Sequence, residues 1–429
     1  MLDKFTKELE ILEHFKYAPV IAVGISGGSD STALVLLANE WAKKNNSKIV
    51  ALTINHNLRE GALEEARQVE ELLREHCIEH HILEWKHSGV GSNIQNQARV
   101  ARLSLLTEWC KKNKIEYLLL GQTKNDLAET FLMRSFRGSG IYGLAAIPKT
   151  TLYNKALILR PLLNFTKTEL QDYLKNKNIQ WIEDPSNDNT SFLRTNIRRL
   201  LCSDEAKKII EDPTLMIDRL ALNAKNLARA RSYIEEQAAK EVARIVNIFP
   251  EGYLTIKHED FCVLHPEIAL YILSSCLTTI SGKHIYKPRL NSLEKLYNLI
   301  LLKTNVTSTL WECEITKKNK HIYIYREVPK YKYTLEKKEE NCWIWDSRFE
   351  IMVENPEQIQ CISNFDRTKL ENYNQASFAK LPKKIWSSLP QITLTNNKVL
   401  VPFLTDIESN GIKVNFMPAT PLVKIKFDY

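Results

Sequence analysis

The chain lacks the features that would carry it through a membrane or equip it for sulfur chemistry. Its eight cysteines, Cys77, Cys110, Cys202, Cys262, Cys276, Cys313, Cys342 and Cys361, stand singly, and no CxxC pair occurs. That scatter argues against a cysteine metal site or a redox dithiol and predicts reduced, mostly buried thiols. No apolar run is long enough to span a bilayer. The first fifteen residues carry four acidic side chains and no small-residue cleavage site, which fits neither a signal nor a transit peptide. A cytoplasmic protein is therefore expected. There is no internal repeat and no segment with the composition of disorder. Nor is there a strongly basic domain: the net charge of +8 divides into 27 Lys and Arg against 23 Asp and Glu over residues 1–200, and 32 against 28 over the rest. Each part is only +4, so any surface for nucleic acid has to be a local patch.

What is present is organised around one short stretch. Val20 to Ile25 is apolar, mostly β-branched and bounded by glycine, as a buried strand is. It stops at Ser-Gly-Gly-Ser-Asp-Ser, residues 26–31, and from Ser31 to Lys44 the positions Ala33, Leu34, Leu37 and Trp41 repeat at helical spacing. A strand that turns through two glycines into a helix N-terminus is an anion site. Gly27 and Gly28 let the backbone approach a ligand, and Ser26, Ser29 and Ser31 add hydroxyls to the free N–H groups. The lysine of the GxxxxGK[ST] phosphate loop is missing. Asp30 stands there instead, and a carboxylate beside phosphates is tolerable only with a cation such as Mg²⁺ between them.

Strands then alternate with helices. Lys48 to His56, His80 to Trp85, Tyr117 to Gly121, Ile158 to Leu162 and Ile179 to Ile182 read as strands. Ala62 to Cys77 and Asn93 to Asn113 read as helices, and Thr166-x-x-Glu169 is a capping box opening another that ends near Asn178. The fold class expected is α/β, a doubly wound parallel sheet, with ligands at the carboxyl ends of its strands. SGGSDS, Asn55 to Arg59, the QTKNDLAET segment from Gln122, and the residues after Trp181 all fall at such ends. A helix bearing Arg194, Arg198 and Arg199 follows, a candidate patch for RNA phosphates beside the crevice. Residues 213 to 302 are helical in pattern, and a hairpin pairs Thr309–Ile315 with His321–Arg326. Tyr331 to Glu340 reads as a linker, and Trp343 onward as short strands. The expected domains are thus a nucleotide-binding domain over 1–212, a mainly helical domain with a β-hairpin over 213–330, and a small β-rich α+β domain over 331–429.

SGGSDS resembles the SGGxDS signature of the PP-loop ATP pyrophosphatases, adenine nucleotide alpha hydrolase-like proteins that cleave ATP between its α and β phosphates. QAR at Gln97, DLAET followed by FRGSGIYGLAAIP, RPLL at Arg160, WIEDPSN at Trp181, an R-x-x-I-R helix and, more loosely, LPKKIWSSLP at Leu381 extend the resemblance to the tRNA(Ile)-lysidine synthetase family over nearly the whole chain. The resemblance implies a ligase that uses ATP and Mg²⁺ to join free L-lysine to the wobble cytidine of tRNA(Ile) with a CAU anticodon, through an adenylated base. It implies ATP contacts at Ser26, Gly27, Gly28, Ser29, Asp30, Ser31, His56 and Arg99. It further implies metal contacts at Asp30 and Asp126, a catalytic set of Asp30, Asp126 and Glu129, and tRNA contacts at Arg194, Arg198 and Arg199. A homodimer is compatible with it. The sequence departs from the family pattern at Asn57, Thr123, Asn125 and Thr195, in place of glycine, histidine, aspartate and asparagine. A PP-loop tRNA thiolase, opposed by the missing CxxC, and a catalytically silent RNA-binding protein are the alternatives.

Overall fold

A computed structural model describes residues 1–15, 18–55, 62–85, 94–153, 156–183, 193–201, 203, 213–283, 287–328, 333–366 and 382–422. The chain divides into two compact units, Met1–Arg231 and Ser232–Tyr429.

The first unit runs α1 (Leu2–Leu12), β1 (Val20–Gly24), α2 (Ser29–Lys44), β2 (Lys48–Asn55), α3 (Ala62–Glu75), β3 (Glu79–Glu84), α4 (Ile94–Lys112), β4 (Tyr117–Leu119), α5 (Lys124–Ser135), α6 (Ile141–Leu144), β5 (Thr150–Tyr153), β6 (Ala156–Leu159), α7 (Lys167–Asn176) and α8 (Leu193–Leu201). Its sheet has the order β3-β2-β1-β4-β6-β5, parallel except for β5, which pairs antiparallel with β6 at the edge. β1 is central because both its faces are apolar. Ile21 and Val23 join a core with α1, α2 and α7, while Ala22 joins a second core with Leu106 and Cys110 of α4. From β1 the chain winds outward to β2 and β3, then returns to β4 on the other side. The reversal between β1 and β4 is a topological switch point, so the two segments that follow those strands meet in one crevice.

The structure corrects several expectations. Ile179 to Ile182 is not a strand: β5 already occupies the edge beyond β6, and the Ile182 N–H donates instead to the Gly27 carbonyl, 2.9 Å away. Helix α2 starts at Ser29, not Ser31, with Gly28 as its N-cap, which puts Asp30 in the first turn. Of the seven described cysteines, all free, three are buried, two half-buried and two exposed, so the thiols are not mostly buried. The capping box of α7 is present as expected: the Thr166 hydroxyl accepts from the Glu169 N–H at 3.2 Å, and the Glu169 carboxylate accepts from the Thr166 N–H at 2.7 Å. Thr166→Ala is expected to cost about 1 kcal/mol, read as a lower urea midpoint at unchanged slope.

The helical reading of 213–302 is interrupted, within the second unit, by β7 (Val246–Phe249) and β8 (Tyr253–Lys257). The expected hairpin is a meander of β9 (Val306–Leu310), β10 (Cys313–Lys318) and β11 (His321–Arg326), because Trp311 and Glu312 turn the chain at φ near +57° and +56°. These strands form one antiparallel sheet, β7-β8-β11-β10-β9, packed on helix Pro266–Ser281. The presumed linker contributes β12 (Leu335–Glu339), the exposed edge of a second sheet with β13 (Cys342–Trp345), β14 (Phe349–Val353) and β18 (Ile412–Phe416). A third sheet joins β15 (Ile359–Asn364), β16 (Pro390–Leu394) and β17 (Val399–Leu400). A buried charge network ties the first two sheets: Asp346 accepts from Arg326 of β11 and from Arg348, which is fully buried and also donates to the Gly252 and Ser388 carbonyls. Among the described residues no helix is long and apolar enough to cross a membrane.

Candidate active site

The loop between β1 and α2 is held in shape by its own hydroxyls. Ser31 Oγ accepts from the Ser26 N–H at 3.1 Å and donates to the Gly28 carbonyl at 3.0 Å, and Thr32 Oγ1 donates to the Gly27 carbonyl at 3.2 Å. Gly27 sits at φ +83°, where a Cβ would come within 2.7 Å of Ile182. No side chain fits there, so the loop needs glycine. At Gly28 the nearest atom to such a Cβ is 3.9 Å away, leaving the α2 N-terminus open on its ligand side. Gly121, after β4, lets that segment approach the backbone of Asp30 and Ser31: a Cβ would meet it at 3.3 to 3.4 Å.

Asp30 therefore faces the start of α5. Its side chain bonds to Ser29 Oγ at 3.2 Å. Burial and then the Asp126 charge push its carboxyl up to about 6, while Lys167, Ser29 and Arg198 pull the other way. A buried carboxylate whose ionisation is opposed by a second carboxylate nearby makes a site for a cation. Mg²⁺ takes one or two carboxylates and completes its shell with phosphate oxygens and water. Asp30 fits that habit well. Asp126 is more engaged: its Oδ2 accepts from the Thr123 N–H at 2.8 Å and the Thr123 hydroxyl at 3.0 Å, closing a second capping box, and its Oδ1 pairs with Arg194. Only the remaining lone pairs of Oδ1 are left to a cation. No cluster of three or more histidine, cysteine, aspartate or glutamate ligands exists among the described residues.

Glu129 lies one turn further along α5 and is 4% exposed. Arg194 Nε donates to its Oε2 at 2.5 Å and Arg198 Nε to its Oε1 at 2.6 Å. Burial works against the Arg194 charge, but Asp126 and Glu129 hold its guanidinium above its ordinary value. So α8 brings two of the three arginines marked in the sequence onto the two carboxylates of α5. Arg199 is exposed on the same helix. Arg99 is exposed on α4, where its charge reaches Arg134 and Arg160. His56 lies outside the described residues, as do Asn57 to Arg59 and Asp184 to Phe192.

Three contributors have roles that the sequence does not reveal: Asn125 and Arg160 stand there only as positions in the family resemblance, and Lys167 goes unmarked. Lys167, the first residue of α7, is a cation close enough to lower the Asp30 carboxyl. Its position directly after a capping-box threonine, downstream of β6, was the available signal. Asn125 turns out to accept from the Lys167 N–H at 2.9 Å, fastening α7 to α5. Arg160 is buried and bonds to Gln122 Oε1 and the Pro148 carbonyl, both at 3.0 Å, and to Thr151 Oγ1 at 2.9 Å, bracing the segment after β4. An open helix N-terminus, a carboxylate suited to a metal, a nearby lysine, and a carboxylate–guanidinium cluster face one crevice. That set can bind a polyphosphate and neutralise a leaving group.

A PP-loop domain matches residues 1–205. The chain is 39% identical over 341 residues to the tRNA(Ile)-lysidine synthase of Wolbachia pipientis wMel, covering 79% of this chain and 78% of that protein. It is 31% identical over 441 residues to the tRNA(Ile)-lysidine synthase of Orientia tsutsugamushi (strain Boryong), covering 99% and 98%. Among solved structures, a U34-tRNA thiolase from Methanococcus maripaludis aligns over 53% of this chain and 78% of its own, at 19% identity and a TM-score of 0.45.

Proposed function

The chain belongs to the tRNA(Ile)-lysidine synthase family, and from that premise we propose that it joins the ε-amine of free lysine to carbon 2 of the wobble cytidine in the CAU anticodon of tRNA(Ile), using ATP. The observation that carries the reading is the meeting, at the β1–β4 switch point, of the open α2 N-terminus and Asp30 with the Asp126–Glu129–Arg194–Arg198 cluster.

In the first step the 2-oxo oxygen of cytosine attacks the α-phosphate and pyrophosphate leaves. Backbone N–H groups of residues 26–31 and the Lys167 ammonium would hold the departing phosphates. A Mg²⁺ ion on Asp30, shared with Asp126, would supply charge neutralisation at those oxygens. In the second step lysine attacks carbon 2 and AMP leaves. A free ε-ammonium titrates near 10.4, so it has to lose a proton before it can attack. We assign Glu129 to orienting that ammonium and Asp126 to the metal or to the reacting base. Arg194 and Arg198 hold the two carboxylates in place and border the entry for the anticodon, with Arg199 toward the RNA phosphates. Residues 1–212 would carry the chemistry and 213–330 further tRNA contact, with 331–429 a small terminal domain. His56 and Arg99 are proposed ATP contacts.

The test is incubation with ATP, labelled lysine and tRNA(Ile) bearing CAU. Label in the tRNA, with one AMP formed per lysine, is the expected result. AMP release without transfer of lysine would overturn the assignment.

A further inference from the structure

Helix α5 carries Glu129 at its middle, and Phe136 follows its last residue in helical backbone geometry. Seven residues apart, the two positions share one side of the helix, about 10 Å from each other at ~1.5 Å per residue. α8 packs against α5 and Glu129 is covered, but Phe136 is 65% exposed. One open phenylalanine is unremarkable by itself. Its setting is not.

Arg137 beside it is exposed as well, and Gly138 turns the chain at φ +63° with nothing within 4 Å of where a Cβ would stand. Beneath this tip, Arg134 donates to the Gly143 and Ala146 carbonyls at 2.6 and 3.0 Å. Arg160 is likewise bonded to carbonyl, amide and hydroxyl oxygens. These acceptors fix the segment 137–148 in place without cancelling the charge of either guanidinium. Burial lowers the Arg134 guanidinium below its ordinary value, and the charges of Arg99, Arg231 and Arg137 lower it further. Burial and then Arg99 bring Arg160 down to about 10. Arg137 thus stands beside an open aromatic ring, on the helix that carries Asp126 and Glu129, and its charge joins those of Arg99 and Arg231 in acting on Arg134. A polyanion with unpaired, flat bases matches both halves of that surface.

We propose that Phe136 and Arg137 form a landing platform for the anticodon loop, with Phe136 stacking an unpaired base about three steps along the strand from the one in the crevice and Arg137 contacting its phosphate. The inference rests on the reading of the substrate as tRNA. The distance suits it: about 10 Å is roughly three bases at the ~3.4 Å rise of a stacked strand. The platform then selects for a loop with splayed bases but does not read their edges, and discrimination of the wobble cytidine stays with the crevice.

Binding of tRNA(Ile) bearing CAU to the full-length protein, titrated between about 50 and about 200 mM salt, tests this. Phe136→Ala is expected to weaken binding by about 5- to 100-fold with the salt slope unchanged. Phe136→Trp should retain wild-type affinity, which separates loss of a ring from loss of fold. Arg137→Ala should weaken binding and make the slope shallower by about 0.7 to 0.9. If the wild type binds and transfers lysine while Phe136→Ala binds within about two-fold of it, the platform is wrong and the function stands. A wild-type protein that neither binds this tRNA nor transfers lysine would overturn both. If Phe136→Ala lost affinity for an acidic protein and not for the tRNA, the surface would be a protein-docking site and the proposal would fall.

Discussion

Asp30→Asn should lower pyrophosphate release by on the order of 10²- to 10³-fold, the scale on which one charge-stabilising group is felt, and should make the protein more stable at neutral pH. Both effects come from the same carboxylate. Its acid is raised from 3.8 to about 6 by burial and by Asp126, so the fold favours the protonated form. A group raised in this way contributes stability below its unfolded value near 3.8 and loses that contribution as pH rises through about 6. At pH 7.5 the ionised Asp30 is therefore a cost, up to about 3 kcal/mol for a shift of about two units. Asparagine keeps the shape and removes the charge. Thermal unfolding without nucleotide or metal should show the mutant melting above the wild type at pH 7.5, with the gap closing toward pH 4. In the wild type, kcat/KM should fall as pH drops through about 6, because the metal-holding form is the ionised one. A mutant that released pyrophosphate at wild-type rate would remove Asp30 from the reaction. One that melted below the wild type at neutral pH would mean the carboxylate serves the fold.

The loop itself was legible because everything that defines it is local: a β-branched run, two glycines, hydroxyls and a helical repeat within 25 residues of sequence. The capping box at Thr166 and Glu169 was legible for the same reason. The reading failed at Ile179 to Ile182, where periodicity suggests a strand. Whether a segment joins a sheet depends on a free edge, and the edge had gone to β5, a strand of strand-favouring residues (Thr-Thr-Leu-Tyr) but only four residues long. The linker reading of Tyr331 to Glu340 failed similarly. Lys and Glu alternating on an exposed edge strand look like solvated chain, and such charges are how sheet edges avoid further pairing. Least legible was the pairing of Arg194 and Arg198 with α5, since nothing local says whether an arginine faces phosphate or carboxylate. In sequence, three arginines on one helix read as a patch. In the fold, two of them neutralise Asp126 and Glu129.

That pairing reshapes what to expect of Glu129. Its carboxylate is covered and accepts from two guanidinium Nε groups, so its charge is matched by protein before any substrate arrives. If it also orients the lysine ammonium, the two roles divide under mutation. Glu129→Gln keeps the side-chain length and one acceptor oxygen but gives up the charge-assisted bonds, each worth about 1.5–3 kcal/mol. The apparent KM for lysine should rise about 10- to 100-fold, while pyrophosphate release from ATP and tRNA in the absence of lysine changes little, because the first step does not need the ammonium. Loosening of α8 alone would give another pattern. The arginines would be freed together, the crevice wall would shift, and both steps would slow with no selective effect on KM. Arg198→Lys provides the control, since it retains a cation against Glu129 and loses the guanidinium geometry. Should Glu129→Gln and Arg198→Lys slow both steps alike, with lysine KM unmoved, Glu129 is an anchor for α8 and the lysine ammonium is held by other groups in the crevice.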